Sequence, residues 1–158
     1  MTTNENTPPV SRALTKLGIP HQVFVHNGPL RSVEQAAAER GQRPEQVVRS
    51  ILFRLASEEY LMVLMAGPGQ IDWKKLRRHL GVNRLTMADK DEVLRVTGYP
   101  RGAVAPVGLA TPLKILVDRS AIAEETISMG SGIRGTAIIL KSTDLLKAIG
   151  DYEIGAFG

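Results

Sequence analysis

Few residues in this chain could do chemistry, and their types narrow what chemistry it is. There is no cysteine, which removes thiolate nucleophiles, disulfides and sulfur-rich metal sites together. The histidines are His21, His26 and His79, and none forms an H-E-x-x-H or another tight ligand spacing, so no metal site is expected. No G-x-S-x-G occurs, and no Ser/His/Asp set follows from spacing. What remains is anion binding by arginine and lysine, together with hydrogen bonding by the main-chain amides of glycine-rich loops.

Arg49 is the most informative cation. On a strand it shares a face with Ile51, Phe53 and Leu55, while Val48, Ser50, Leu52 and Arg54 share the other. A guanidinium in line with Ile, Phe and Leu costs free energy to bury without an anion. Either its head reaches water at the strand's edge, or it receives an anion such as a phosphate. Lys74, Lys75, Arg77 and Arg78 put four positive charges on one helix, with Arg84 just beyond. They form either a solvated face or a patch that attracts a nucleic-acid backbone without sequence preference. His26 stands at the mouth of a strand beside Gly28-Pro29; it reads as a surface histidine or as a substrate contact.

Two loops are shaped mainly by backbone. The first runs from Gly98 to Gly108, with glycines at 98, 102 and 108 and prolines at 100 and 106. Proline fixes φ, and glycine admits φ > 0 and close approach, so this stretch is a rigid main-chain wall or a plain turn. The second, Gly130-Ser131-Gly132-Ile133-Arg134-Gly135, spells G-x-G-x-x-G. A dinucleotide site needs a helix after that motif and an acidic residue about twenty positions on. Here an aliphatic strand follows, so the motif is expected to be a strand-to-strand turn. A P-loop is absent.

The elements that must position these residues follow from periodicity and punctuation. Residues 1–9 are polar and proline-containing, and read as a flexible arm. A helix is expected from Val10 to Leu17, a strand over Gln22 to Val25, and a helix opened by a Ser32/Gln35 capping box and closed by Gly41. One helical turn at 44–47 leads into a strand from Val48 to Ala56. Tyr60 to Ala66 is nearly continuous in apolar residues, which predicts a central strand buried on both faces. Asp72 caps a helix with Trp73, Leu76 and Leu80 inward, Arg84 to Met87 form a brief strand, and Asp89 caps a helix through Thr97. Strands at 113–117, 126–129 and 136–140 follow, with a helical turn at 120–123. Ser142 caps a last helix, and the tail after Gly150 has no clear pattern. The sum is an α+β domain over residues 10–158, with a central mixed, largely antiparallel sheet flanked by helices.

With 158 residues, 43% hydrophobic and 23% charged, the chain can bury a real core as one domain. No apolar run approaches a membrane span and no signal peptide opens it, so a cytoplasmic location is the default expectation. The net charge of +4 allows a polyanionic partner. Its 4% aromatic content argues against a surface that stacks base after base.

Several of these pieces occur together in a known order: residues 44–53 (P-E-Q-V-V-R-S-I-L-F), 69–76 (G-Q-I-D-W-K-K-L), Met87-Ala88-Asp89, Thr97-Gly98-Tyr99 and Gly102-Ala103-Val104-Ala105-Pro106. In this the chain resembles the YbaK / prolyl-tRNA-synthetase-associated editing domain family, over roughly Val10 to Ile149. The resemblance implies a freestanding aminoacyl-tRNA deacylase without a cofactor or metal. Its substrate would be tRNA for proline carrying a small wrong amino acid such as alanine or cysteine, met at the acceptor end. Prolyl-tRNA synthetase is an implied partner, and a membrane is not. The alternative is an inactive tRNA- or synthetase-binding module of the same fold. By the same resemblance Arg49 and Gly102 are catalytic. His26, Ser50, Gly98, Ala103, Val104, Ala105, Pro106, Gly130, Ser131 and Gly132 bind substrate, and Lys74, Lys75, Arg77 and Arg78 meet the tRNA backbone. The family's usual lysine is here Arg49, which keeps the charge but cannot give up a proton. Where the bacterial cysteinyl-tRNA deacylases carry a tyrosine this chain has His26, and where they carry an aspartate after the late glycines it has an apolar residue at or near Ala137.

Overall fold

A computed structural model describes residues 7–56 and 58–158. Most of the proposed flexible arm, residues 1–6, lies outside the described residues. Helix α1 (Pro9–Lys16) begins on a proline at its first position, where the missing N–H costs nothing. It buries Val10, Ser11 and Leu14.

The remaining elements are β1 (Gln22–Val25), α2 (Val33–Glu39), β2 (Val48–Arg54), β3 (Tyr60–Ala66), α3 (Trp73–Leu80), β4 (Thr86–Met87), α4 (Lys90–Thr97), β5 (Lys114–Asp118), β6 (Thr126–Gly130), β7 (Thr136–Lys141), α5 (Ser142–Ile149) and β8 (Glu153–Gly155). Short 3₁₀ turns at Pro44–Gln46 and Arg119–Ile122 complete the order.

The α+β class holds, with the strands divided over two sheets. The larger has the order β4-β2-β3-β5-β8 and the smaller β1-β7-β6. A single parallel bridge from Val47 to Ser128 joins them. Pairing is antiparallel except between β3 and β5 and between β5 and β8. β3 is central, as its apolar run predicts, and its period of two sorts it between two cores. Met62, Leu64 and Ala66 join the main core with Val48, Leu52, Val104, Met129 and Ile138. Leu61, Val63 and Met65 join a second core with Phe53, Leu76, Leu116 and Phe157. Helix α3 covers that second core, with Trp73 edge-on to Phe53 at 5.2 Å.

Three local expectations change. Ser32 Oγ accepts from the Gln35 N–H at 3.0 Å, but Gln35 Oε1 accepts from Arg31 N–H at 2.8 Å instead of closing a box on Ser32. Ser142 is already inside α5, with Lys141 at the N-cap; its hydroxyl donates to the Glu125 carbonyl at 3.4 Å and so ties the helix to the chain before β6. The tail after Gly150 is not featureless. β8 adds a parallel edge to β5, and Phe157 returns to the second core at 1% exposure. Its N–H donates to Asp118 Oδ1 at 2.7 Å and its carbonyl accepts from Asp72 N–H at 2.6 Å.

Candidate functional site

The two glycine-bearing loops meet backbone to backbone. Gly132 N–H donates to the Ala103 carbonyl at 2.8 Å, and Arg134 Nε to the Arg101 carbonyl at 3.0 Å. Gly130 lies so close that a Cβ there would fall 2.6 Å from the Ala103 carbonyl carbon and nearer still to the Val104 oxygen. The loop is braced from behind by Tyr99, whose buried hydroxyl lies 2.6 Å from the Val107 carbonyl and 2.9 Å from that of Gly108. Burial raises the Tyr99 pKa, so the phenol stays a neutral donor. Gly102 sits at the crest with φ +91°, a conformation that side chains other than glycine rarely take. Its N–H has no acceptor among the described residues.

In front of these loops is a cleft of about 330 Å³, walled by Arg40, Val48, Arg49, Ser50, Gly102, Val104, Gly130, Gly135 and Thr136 among others. An adjoining hollow of about 240 Å³ shares Arg49, Ser50, Gly102 and Val104, and extends to Met87, Ala88 and Arg101. β2 and β6 are joined only by the bridge at Val47, and β4 pairs with β2 only at Phe53 and Arg54. The edge of β2 between those points is open. That gap places Arg49 and Ser50 in the cleft.

Arg49 lies between the two alternatives, neither free in water nor fully enclosed. The guanidinium is half-buried, and its Nη2 donates to the Gly69 carbonyl. Its Nε is buried with no partner among the described residues, as is Ser50 Oγ. No carboxylate pairs with Arg49 among the described residues, and burial alone lowers its pKa. A half-buried cation beside an unsatisfied hydroxyl and a free main-chain N–H can receive an anionic or strongly polar ligand.

The structure thus brings Arg49, Ser50, Gly102, Val104 and Gly130 together. It does not bring the other expected residues to the cleft wall. His26 is buried and faces Glu39 and Arg40. Gly98 ends α4 in the left-handed conformation, its N–H spent on Leu94. Ala103 and Ala105 are core residues, and Pro106 lines a separate groove of about 660 Å³ behind the loop, against α1. Ser131 Oγ is spent inside its own turn on Ile133 and Thr136, and the Gly132 amide on Ala103. The basic residues Lys74, Lys75, Arg77 and Arg78 ride on α3 over the second core and line no part of the cleft. Lys75 is bonded to the Gly158 carbonyl at 2.8 Å.

One wall residue escapes sequence reasoning altogether. Arg40 ends an alanine-rich helix and looks like an ordinary surface cation. Its partners lie 14 and 88 residues away, at His26 and Ser128, and no local pattern reports them. Among the described residues no three His, Cys, Asp or Glu side chains cluster to hold a metal, and no helix is long and apolar enough to cross a membrane.

Fold and cleft together define a small α+β domain with a cationic cleft whose rear wall is main chain. The chain belongs to the aminoacyl-tRNA editing domain family, whose pattern matches residues 27–148. It is 39% identical over 127 residues to the proline-tRNA ligase of Geobacter sp. (strain M21), covering 80% of this chain and 21% of that protein. It is 33% identical over 114 residues to the uncharacterized protein YwhH of Bacillus subtilis (strain 168), covering 72% of each. Its fold matches a crystal structure described as a candidate trans-editing enzyme for prolyl tRNA synthetase. The TM-score is 0.87 at 24% identity, over 99% of this chain and 98% of that one. The chain spans 15% to 21% of the length of the first curated proline-tRNA ligases it matches.

Proposed function

We propose that this protein hydrolyses mischarged aminoacyl-tRNA in trans, removing a small wrong amino acid such as alanine or cysteine from tRNA for proline. The observation that carries the reading is the group of unsatisfied polar atoms in one cleft, Arg49 Nε, Ser50 Oγ and Gly102 N–H, in a member of an editing family. An aminoacyl ester is intrinsically labile, so holding it and stabilising charge as it develops is enough without a triad or metal. Arg49 grips the phosphate or ribose of the terminal adenosine. Water attacks the ester carbonyl, hydrogen-bonded to the free hydroxyl of that ribose, and gives up a proton to solvent as its oxygen joins the carbonyl carbon. The carbonyl oxygen gains negative charge and is met by the Gly102 N–H. The bond to the ribose oxygen then breaks, and that oxygen takes up a proton. The tightly apposed loops at Gly102–Val104 and Gly130 keep the pocket narrow, which favours small side chains by modest factors only. In this reading prolyl-tRNA synthetase is the source of the mischarged substrate.

The test is release of amino acid from tRNA for proline charged with alanine, cysteine or serine. Release of at least one, well above the buffer rate, is expected; no release from any of the three counts against the reading. The lysine that the resemblance leads one to expect at position 49, where this chain has arginine, favours a second reading, a tRNA- or synthetase-binding module without turnover. That reading requires tRNA binding without release, and release restored by Arg49→Lys.

A further inference from the structure

We infer that Arg40 is a second anion-binding side chain of this cleft, and that His26 is its positioning residue, holding it through a neutral ring locked by Glu39. The inference rests on the reading of the cleft as a tRNA acceptor-end site and adds a residue to it.

Arg40 occupies the C-cap of α2, where the helix's partial negative end favours a cation. Its Nε donates to His26 Nε2 at 3.0 Å and its Nη1 to Ser128 Oγ at 2.9 Å. Both partners are buried, Ser128 completely. No carboxylate pairs with Arg40 among the described residues; Glu39 is turned to His26 and Gln35. Burial lowers the Arg40 pKa, and the Glu39 charge opposes it with a smaller pull. The guanidinium is pinned on one side by neutral acceptors, while its Nη2 bonds to nothing in the described protein and the side chain lines the cleft. A cation fixed by neutral groups with one edge left open is complete only when an anion arrives. The chemistry that fits is a phosphodiester, shared with Arg49.

The partners also assign the proton on His26. Because Nε2 accepts from Arg40, the ring's hydrogen is on Nδ1, donated to Glu39 Oε1 at 2.8 Å. Around the ring stand Glu39 and Arg40 from the end of α2 and the edge of Phe24 from β1 at 4.9 Å, while the main-chain N–H of His26 is fixed on the Gly135 carbonyl at 2.8 Å. A proton added to Nε2 would replace that acceptor by a donor facing a guanidinium, and Arg40 would be pushed from its place. A glutamine at position 26 can put a carbonyl oxygen near the Nε2 position and cannot be charged.

The test compares Arg40→Ala, Arg40→Lys, His26→Ala and His26→Gln with the parent and with Lys147→Ala, a surface control. Two readouts are taken: release of alanine from alanyl-tRNA for proline, and the salt dependence of binding to an acceptor-stem RNA with an unpaired terminal adenosine. Arg40→Ala is expected to weaken binding about 10- to 100-fold, as for loss of a charged hydrogen bond. It should lower the salt slope by about 0.7 to 0.9, one phosphate contact. Arg40→Lys should keep the slope and lose the position, releasing alanine about tenfold more slowly. His26→Gln should recover most of the release that His26→Ala loses. Unchanged binding and slope in folded Arg40→Ala would overturn the assignment of Arg40. His26→Gln no better than His26→Ala would overturn the role of His26. If no variant and not even the parent releases alanine, the deacylase reading fails while the salt slope still decides Arg40.

Discussion

Gly130 and Ala103 are in contact that leaves no room for a side chain. A Cβ on Gly130 would sit 2.6 Å from the carbonyl carbon of Ala103 and 2.7 Å from its oxygen. Both atoms are backbone, so neither can swing aside. Gly130→Ala must therefore push the 102–104 loop out of place. Gly102 has φ +91° but open space around its Cα, so Gly102→Ala costs only backbone strain, about 1 to 2 kcal/mol. The expected outcome is a contrast in thermal melts and release assays. Gly130→Ala loses more stability than Gly102→Ala, about 1 to 3 kcal/mol from overpacking plus any loop strain. It also loses cleft function through a residue whose own side chain is a hydrogen.

Glu92 sets the acid limit of the fold at one place. It completes a capping box on α4 with Asp89 at 2.8 and 3.1 Å. Its other oxygen accepts from Tyr60 Oη at 2.6 Å and Arg54 Nη1 at 2.7 Å. The Tyr60 bond first, then the Asp89 backbone and Arg54, lower its pKa to about 2. A carboxylate with a folded pKa below its unfolded one contributes stability above the unfolded value, near 4.5, and loses it as pH falls toward 2. The melting temperature of Glu92→Gln should lie below the parent's at pH 7, with the gap closing between about pH 5 and pH 2. A gap that persists unchanged at low pH would assign the effect to shape alone.

The tail should carry stability out of proportion to its length. Phe157 fills the second core beside Met65 and Leu76, and its main chain is bonded to Asp118 and Asp72. Phe157→Ala should cost about 3 to 5 kcal/mol in urea denaturation, the usual range for a buried phenylalanine. A loss below about 1 kcal/mol would show that the second core closes without it.

The fold was legible in the sequence wherever a pattern was local. The apolar run of β3, the Asp72 and Asp89 caps and the glycine stops at 18, 41, 81 and 98 all state their element within a few residues. Phe157 was not legible, because one aromatic in a glycine-rich tail shows no period and its partners are about 40 residues back in β5 and further still in α3. The site divided along the same line. Arg49, Gly102 and Gly130 announce themselves by a charge on an apolar face and by unusual backbone. Arg40 is set by His26 and Ser128, and neither reading of His26, surface residue or substrate contact, shows its partners Glu39 and Arg40 at a helix C-terminus, which are apparent only in three dimensions. Gly98, Pro106 and Ser131 belong to the same loops as true wall residues, and sequence proximity alone could not show that they point to other layers.

Helix α3 offers a test of how the tRNA body is held. Lys74 and Arg78 are exposed on a helix remote from the cleft wall. If they meet phosphates, Lys74→Ala and Arg78→Ala should each weaken RNA binding irrespective of sequence and lower the salt slope by about one, while the rate of release at saturating tRNA stays unchanged. Binding that is insensitive to both would make α3 a solvated face. Lys75, tied to Gly158, should matter less.

The most direct measurement is release of alanine from alanyl-tRNA for proline at saturating protein, comparing the parent with Arg49→Ala. The expected result is release by the parent well above the spontaneous rate and a return to about the spontaneous rate in a folded Arg49→Ala. Release by the folded variant at the parent's rate would remove Arg49 from the site and contradict the cleft as the place of hydrolysis.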